Sequence, residues 1–105
     1  MVRGEVFRLR APRGTRGSEQ RGARYAVVVQ ADELLALSTV LVSPTSTVAP
    51  ARSFRPTIDV AGTPTRVLVE ETTPVSTERL GESVGRLSVS ELRELDTALA
   101  LVVGL

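Results

Sequence analysis

The sequence predicts a mainly β domain, a small and strongly bent sheet or partly open barrel, with one C-terminal α-helix. Three observations predict it. Short β-branched runs recur along the chain, separated by clusters of Pro, Gly and Ser. Helical spacing appears clearly only at the end. The chain is 42% hydrophobic with three aromatic residues, Phe7, Tyr25 and Phe54, so its core must be aliphatic. At 105 residues, with no internal repeat, it reads as a single domain over 1–105.

Each element has its own local reason. Val2 to Arg10 alternates loosely, with Phe7 and Leu9 on one face and Val6, Arg8 and Arg10 on the other, and reads as a first strand. Ala11 to Ala23 is rich in Pro, Gly, Arg and Ser without periodicity and reads as a long loop. Arg24 to Gln30 contains Tyr25-Ala26-Val27-Val28-Val29, the pattern of a buried strand. In Ala31 to Leu37, Asp32 is a candidate cap for one helical turn. Thr39 to Ser43 is a third strand, with Pro44 as its expected stop, and Ser46 to Ala51 a turn. Phe54 to Val60 and Thr65 to Val69 predict a hairpin around Ala61-Gly62. Pro74 to Glu78 reads as a break, with Thr77 opening a short turn, and Ser83 to Arg86 as a last strand. Ser88-Val89-Ser90-Glu91 is a capping box, with Ser88 as N-cap. Leu92, Leu95, Leu99 and Val102, joined by Ala98, follow at helical spacing, and Gly104 stops the helix.

Composition removes whole classes of chemistry. The chain has no Cys, His, Lys or Trp. Zinc fingers, iron–sulfur clusters, thiol nucleophiles and histidine general bases are excluded, as are Schiff bases and a P-loop lysine. Metal ligation and cofactor attachment by the usual residues are not expected. The longest apolar run, Ala98 to Val103, is too short to span a membrane, and the absence of Cys is compatible with a cytoplasmic protein. The net charge of +1 conceals an asymmetry. Residues 1–30 carry seven arginines against two carboxylates, and residues 31–105 six arginines against ten carboxylates. A basic first third suits a polyanion or an acidic peptide.

Gly17-Ser18-Glu19-Gln20-Arg21-Gly22-Ala23-Arg24 follows the first strand and runs into the second. It resembles the GSEQxGxRP motif of the MazF/PemK/Kid family of toxin endoribonucleases. Further blocks agree in order. Arg3-Gly4-Glu5-Val6-Phe7 resembles the family's opening strand, and Val42-Ser43-Pro44-Thr45-Ser46 its VPxTS strand end. Phe54-Arg55-Pro56-Thr57 resembles its fourth-strand region, and Arg79-Leu80-Gly81 through Asp96-Thr97-Ala98-Leu99 its C-terminal pattern. The resemblance implies an SH3-like barrel of antiparallel strands, like the PemK and CcdB toxins, acting as a homodimer. It implies sequence-specific, metal-independent cleavage of single-stranded RNA, which inhibits translation and growth. It also implies a cognate MazE-like antitoxin whose disordered C-terminal tail blocks the RNA groove.

Such cleavage uses the ribose 2′-hydroxyl as nucleophile and leaves a 2′,3′-cyclic phosphate and a 5′-hydroxyl. The resemblance puts Arg24 at the catalytic arginine and Thr45 at the catalytic threonine. Arg24 would aim a permanently charged fork at the phosphoryl oxygens, and Thr45 would donate to the phosphate or the leaving oxygen. Glu19 and Gln20 are candidates to orient Arg24 or line the RNA groove; an arginine partner would depress the pKa of Glu19 and make it a poor base. Ser18 is a candidate phosphate donor or a loop cap. Arg13, Arg16 and Arg21 are candidate phosphate contacts. Tyr25 stands where the family usually has proline, as a stacking surface for a base or as packing.

In Val69-Glu70-Glu71-Thr72-Thr73 many relatives carry a DQxRT-like run. Glu70 keeps the carboxylate, and Glu71 and Thr73 depart from the amide and arginine. Leu68 occupies a position where some members are thought to use an arginine, which leaves Arg24 and Thr45 as the version of the site open to this chain. The competing reading is a non-catalytic or CcdB-like module that poisons a protein target by binding it.

Overall fold

The computed structural model describes residues 1–10 and 24–105. Seven strands precede one helix: β1 (Glu5–Leu9), β2 (Tyr25–Val28), β3 (Thr39–Ser46), β4 (Thr57–Val60), β5 (Thr63–Val67), β6 (Thr73–Ser76), β7 (Leu80–Arg86) and α1 (Val89–Val103). The strands form one sheet in the order β4-β5-β3-β2-β1-β7, and β6 also pairs with β3. Every pairing is antiparallel. The sheet curls into a half-closed barrel because β3 serves two ladders on one side. Its first half, Thr39 to Val42, pairs with β6, and its last residues, Thr45 and Ser46, pair with β5.

Pro44 sits between those ladders and does not stop the strand, contrary to the sequence expectation. Val29 N–H donates to Leu41 C=O at 3.1 Å, so odd-numbered residues of β3 face the β2 ladder. Pro44 therefore turns its nitrogen to the opposite side, into the gap where β3 changes partners. A missing N–H breaks no ladder bond there. Its carbonyl accepts from Leu68 N–H at 2.8 Å.

The sheet buries both faces. On one, Val6, Val27 and Val29 pack with Ile58, Val60, Val67, Val69 and the helix residues Leu95 and Ala98. On the other, Ala26, Val28, Val40, Val42 and Val75 pack with Phe7, Leu9, Leu35 and Leu80. This explains the unbroken apolar run of β2, which has no solvent face to alternate toward. Phe7 and Leu9 share a face as expected, but Val6 is a core residue, set apart from the exposed Arg8 and Arg10.

The local signals resolve as follows. Ala61 and Gly62 both have positive φ, at 49° and 88°, in the two-residue turn of the β4–β5 hairpin. Ser88 accepts from Glu91 N–H and the Glu91 carboxylate accepts from Ser88 N–H, completing the capping box. Gly104 ends α1 in the left-handed conformation. Asp32 caps nothing: Ala31 is the N-cap of the 3₁₀ turn Asp32–Leu34, and the Asp32 carboxylate accepts from Arg3 N–H at 2.7 Å. The expected break at Pro74 is strand β6, because the exposed edge of β3 supplies a partner that sequence cannot display. The turn Thr77–Arg79 is present, capped by Ser76.

Candidate active site

The site is built where β2 begins and β3 ends. Arg24 stands one residue before β2, exposed, and its carbonyl accepts from Leu9 N–H at 2.8 Å. Thr45 is half-buried, and its hydroxyl donates to the carbonyl of Tyr25 at 3.0 Å. The threonine oxygen thus lies against the backbone of the residue that follows Arg24. The β2–β3 register makes this unavoidable: Ala26 pairs with Pro44, so the next position places Thr45 beside Tyr25.

Tyr25 is half-buried and packs against the helix-side core. Arg8 covers its ring, with Cζ 5.6 Å from the centroid, a cation–π contact. Of the two sequence readings of Tyr25, packing describes its buried part, and the outer part of the ring forms a shared surface with Arg8.

Glu70 is not part of this cluster. It lies on the 3₁₀ turn Val69–Glu71, which is tied to β3 at two points. Leu68 N–H donates to Pro44 C=O at 2.8 Å, and the buried Ser43 hydroxyl lies 2.6 Å from the Thr72 hydroxyl. Thr72 spends its own proton on Val69 C=O at 2.7 Å, so Ser43 is the donor to Thr72. The Glu70 carboxylate is gripped by Arg55, whose Nε and Nη2 donate to one oxygen at 2.8 and 2.6 Å. That fork holds the Glu70 carboxyl below the usual carboxylate range, against a smaller opposing effect of burial. Glu70 is therefore ionised and a poor proton acceptor at neutral pH.

Arg55 is the residue that sequence reasoning missed. It also donates to Pro50 C=O at 3.2 Å and stacks on Phe54 at 5.4 Å. Its link to Glu70 spans fifteen residues and leaves no local spacing signal. Glu71 and Thr73 are exposed, and Leu68 is buried. The expected contacts of Arg13, Arg16, Ser18, Glu19, Gln20 and Arg21 lie outside the described residues. Among the described residues, no three Asp or Glu side chains converge where a metal ion would sit.

Comparison with known proteins agrees over the whole chain. A family model described as PemK-like, MazF-like toxin of type II toxin–antitoxin system matches residues 2–103. A candidate toxin of Mycobacterium tuberculosis is 38% identical, spanning 100% of this chain and 99% of that protein. The endoribonuclease MazF9 of the same organism is 35% identical over 96% of this chain and 94% of its own. A mycobacterial endoribonuclease solved with its cognate antitoxin superposes with a TM-score of 0.81 at 20% identity, covering 100% of this chain and 96% of that one. MazF from Deinococcus radiodurans superposes at 0.78 and 20% identity, covering 100% and 97%. These two structures share the fold described above.

Proposed function

This chain belongs to the PemK-like, MazF-like toxins of type II toxin–antitoxin systems, and we propose that it is an endoribonuclease that cuts single-stranded RNA at short sequence motifs, inhibiting translation and growth. The observation that carries this reading is the Thr45 hydroxyl bound to the carbonyl next to Arg24. It sets the hydroxyl beside the residue that follows Arg24, which supports a joint role for the two at one sheet edge. The 35% identity to an endoribonuclease over nearly the full length supports the same reading.

In the proposed reaction the ribose 2′-oxygen attacks phosphorus, and the bond to the 5′-oxygen breaks. The products carry a 2′,3′-cyclic phosphate and a 5′-hydroxyl. Negative charge grows on the non-bridging oxygens, where the Arg24 guanidinium is worth most. Thr45 gives up its bond to Tyr25 C=O, a neutral bond worth about 1 kcal/mol net. By rotating about Cβ–Oγ1 it donates to the phosphate instead, a charge-assisted bond roughly twice as strong. Glu70 serves by holding Arg55 and the turn beside β3, and not as the base. The reaction needs neither metal nor cofactor. Water or a carboxylate takes the 2′ proton, and the departing 5′-oxygen is protonated by water.

We propose further that the protein is a homodimer of the cytoplasm and that an antitoxin of MazE type lays its acidic C-terminal tail over the Arg24 edge. The end of α1 supports self-association: Leu101, Val103 and Leu105 are 55%, 62% and 96% exposed. Solved complexes of MazF-fold proteins with their antitoxins support the second partner. No helix among the described residues is long and apolar enough to cross a membrane.

The test is incubation of the purified protein with a long RNA in EDTA, followed by sequencing of the cut ends. Cyclic-phosphate ends at reproducible short motifs are expected. Intact RNA, with a topoisomerase retained from the same lysate, would instead establish the CcdB-like binding module.

A further inference from the structure

The helix-side face of the sheet carries a second basic feature that continues from the candidate site. Thr45 on β3, Tyr25 on β2 and Arg8 on β1 lie in one cross-strand row, since Arg8 pairs with Tyr25 and the β2–β3 register sets Thr45 beside it. Strands are about 4.8 Å apart, so Arg8 stands roughly 10 Å from Thr45. Arg10, one residue past the end of β1, lies two residues further on, about 6.6 Å along an extended backbone. That step is comparable to the separation of successive phosphates in an extended single strand.

Gly81 makes room for this pair. It lies in the irregular stretch of β7 opposite Arg8, and its φ is not in the left-handed region. Its small size serves space and not backbone conformation. A Cβ there would sit 3.1 Å from Arg8 C=O, 3.6 Å from Arg10 Nε and 3.7 Å from Arg8 Cβ. The glycine thus lets β7 lie close against the Arg8 carbonyl, with the Arg8 and Arg10 side chains beside it. Arg79 joins them through a reciprocal clamp. Arg10 N–H donates to Arg79 C=O at 2.8 Å, and Arg79 Nε donates to Arg10 C=O at 2.9 Å. Arg10 Nη1 also reaches Glu78 C=O at 3.2 Å.

These acceptors are neutral carbonyls, so they orient the guanidinium groups without cancelling their charge. None of the three ion pairs among the described residues involves Arg8, Arg10 or Arg79. Each guanidinium has five N–H donors, and the clamp occupies only one on each side. Among the described residues the charge is unpaired, and it is pre-oriented and aligned with the candidate site.

We infer that Arg8, Arg10 and Arg79 around Gly81 form a phosphate-binding track, which holds the backbone of the single strand one to three nucleotides from the bond to be cut. The inference rests on the endoribonuclease reading above. The Arg8–Tyr25 stack adds a surface on which one base can lie. Contacts of this kind position the strand and carry no sequence information of their own.

The experiment measures binding of a single-stranded oligoribonucleotide with methylated 2′-hydroxyls, which cannot be cut by 2′ attack, over a series of salt concentrations. Cleavage of unmodified RNA by the same wild-type preparation is followed in parallel. Arg8→Gln and Arg10→Gln are each expected to flatten the log–log salt slope by about 0.7, and the double variant by about 1.4. Arg10→Lys keeps the charge while losing the guanidinium geometry, and is expected to retain the wild-type slope. A clamp that matters only for folding would lower thermal stability in Arg10→Gln and Arg10→Lys alike and leave the slope untouched. That result, with wild-type RNA cleavage intact, overturns the track alone. Loss of affinity for an acidic peptide with an unchanged RNA slope overturns it in favour of a protein-binding surface. A wild-type protein that neither binds nor cuts RNA overturns the endoribonuclease reading and the track with it.

Discussion

Arg55 and Arg24 are the same side chain placed in opposite circumstances. Arg55 is folded back onto the protein, its fork closed on Glu70, its third nitrogen on Pro50 and its plane over Phe54. Arg24 stands exposed at a strand end, and its side chain makes no hydrogen bond or ion pair among the described residues. The first stabilises a loop; the second, on the proposed reading, meets a phosphate. The difference shows that the value of an arginine here is set by whether a carboxylate has reached it first, and not by its count in the composition.

That contrast can be broken in four ways. The deepest effect is expected from Arg24→Ala, which should slow RNA cleavage by about 10²- to 10³-fold, the usual consequence of removing one donor to transition-state charge. Its thermal midpoint should barely move, as for most exposed substitutions. Thr45→Val should follow, with a loss of roughly tenfold in cleavage rate for one hydrogen bond of about 1.4 kcal/mol. Single-turnover kinetics on a defined oligoribonucleotide measures both. If Arg55→Ala slowed cleavage as much as Arg24→Ala, the contrast would collapse.

Arg55→Ala is expected instead to act on stability, lowering it by about 1 kcal/mol in urea titration, as befits a partly exposed pair with two donors on one carboxylate oxygen. The smallest effect concerns pH. Because Arg55 depresses the Glu70 pKa, this pair contributes its full stability above the ordinary glutamate range and loses it as pH falls through the lowered folded value. Glu5, lowered chiefly by the Ser83 hydroxyl at 2.6 Å, acts in the same direction. Thermal melts from neutral to acidic pH should therefore fall more steeply for the wild type than for Arg55→Ala. Parallel curves would mean that the Arg55–Glu70 fork is absent in solution.

Sequence reasoning reached those features that are held by near neighbours. The capping box of Ser88 and Glu91, the Ala61-Gly62 turn and the helical stripe through Leu95 are short-range facts, and each appears as expected. It failed where the deciding partner is remote. Pro44 breaks most strands, and it survives in β3 only because two other strands divide the space beside it. Thr73-Pro74-Val75-Ser76 has little strand character alone and becomes β6 by pairing with Thr39 to Val42. Motif order named Arg24 and Thr45 as candidates, and the hydrogen bond from Thr45 to Tyr25 C=O was not legible, because register is a property of two segments. Arg55 escaped notice for the same reason.

One consequence follows from the burial of β2. Ala26, Val27 and Val28 are 0% exposed, with packed side chains above and below. Their amides should be among the slowest in the protein to exchange with deuterated solvent, opening only when the whole fold opens. Arg24 is rooted at the end of that segment. Fraying elsewhere leaves the backbone at this strand end in place. The proposed control by an antitoxin suits such an edge, since a partner can cover it and be removed without the fold loosening.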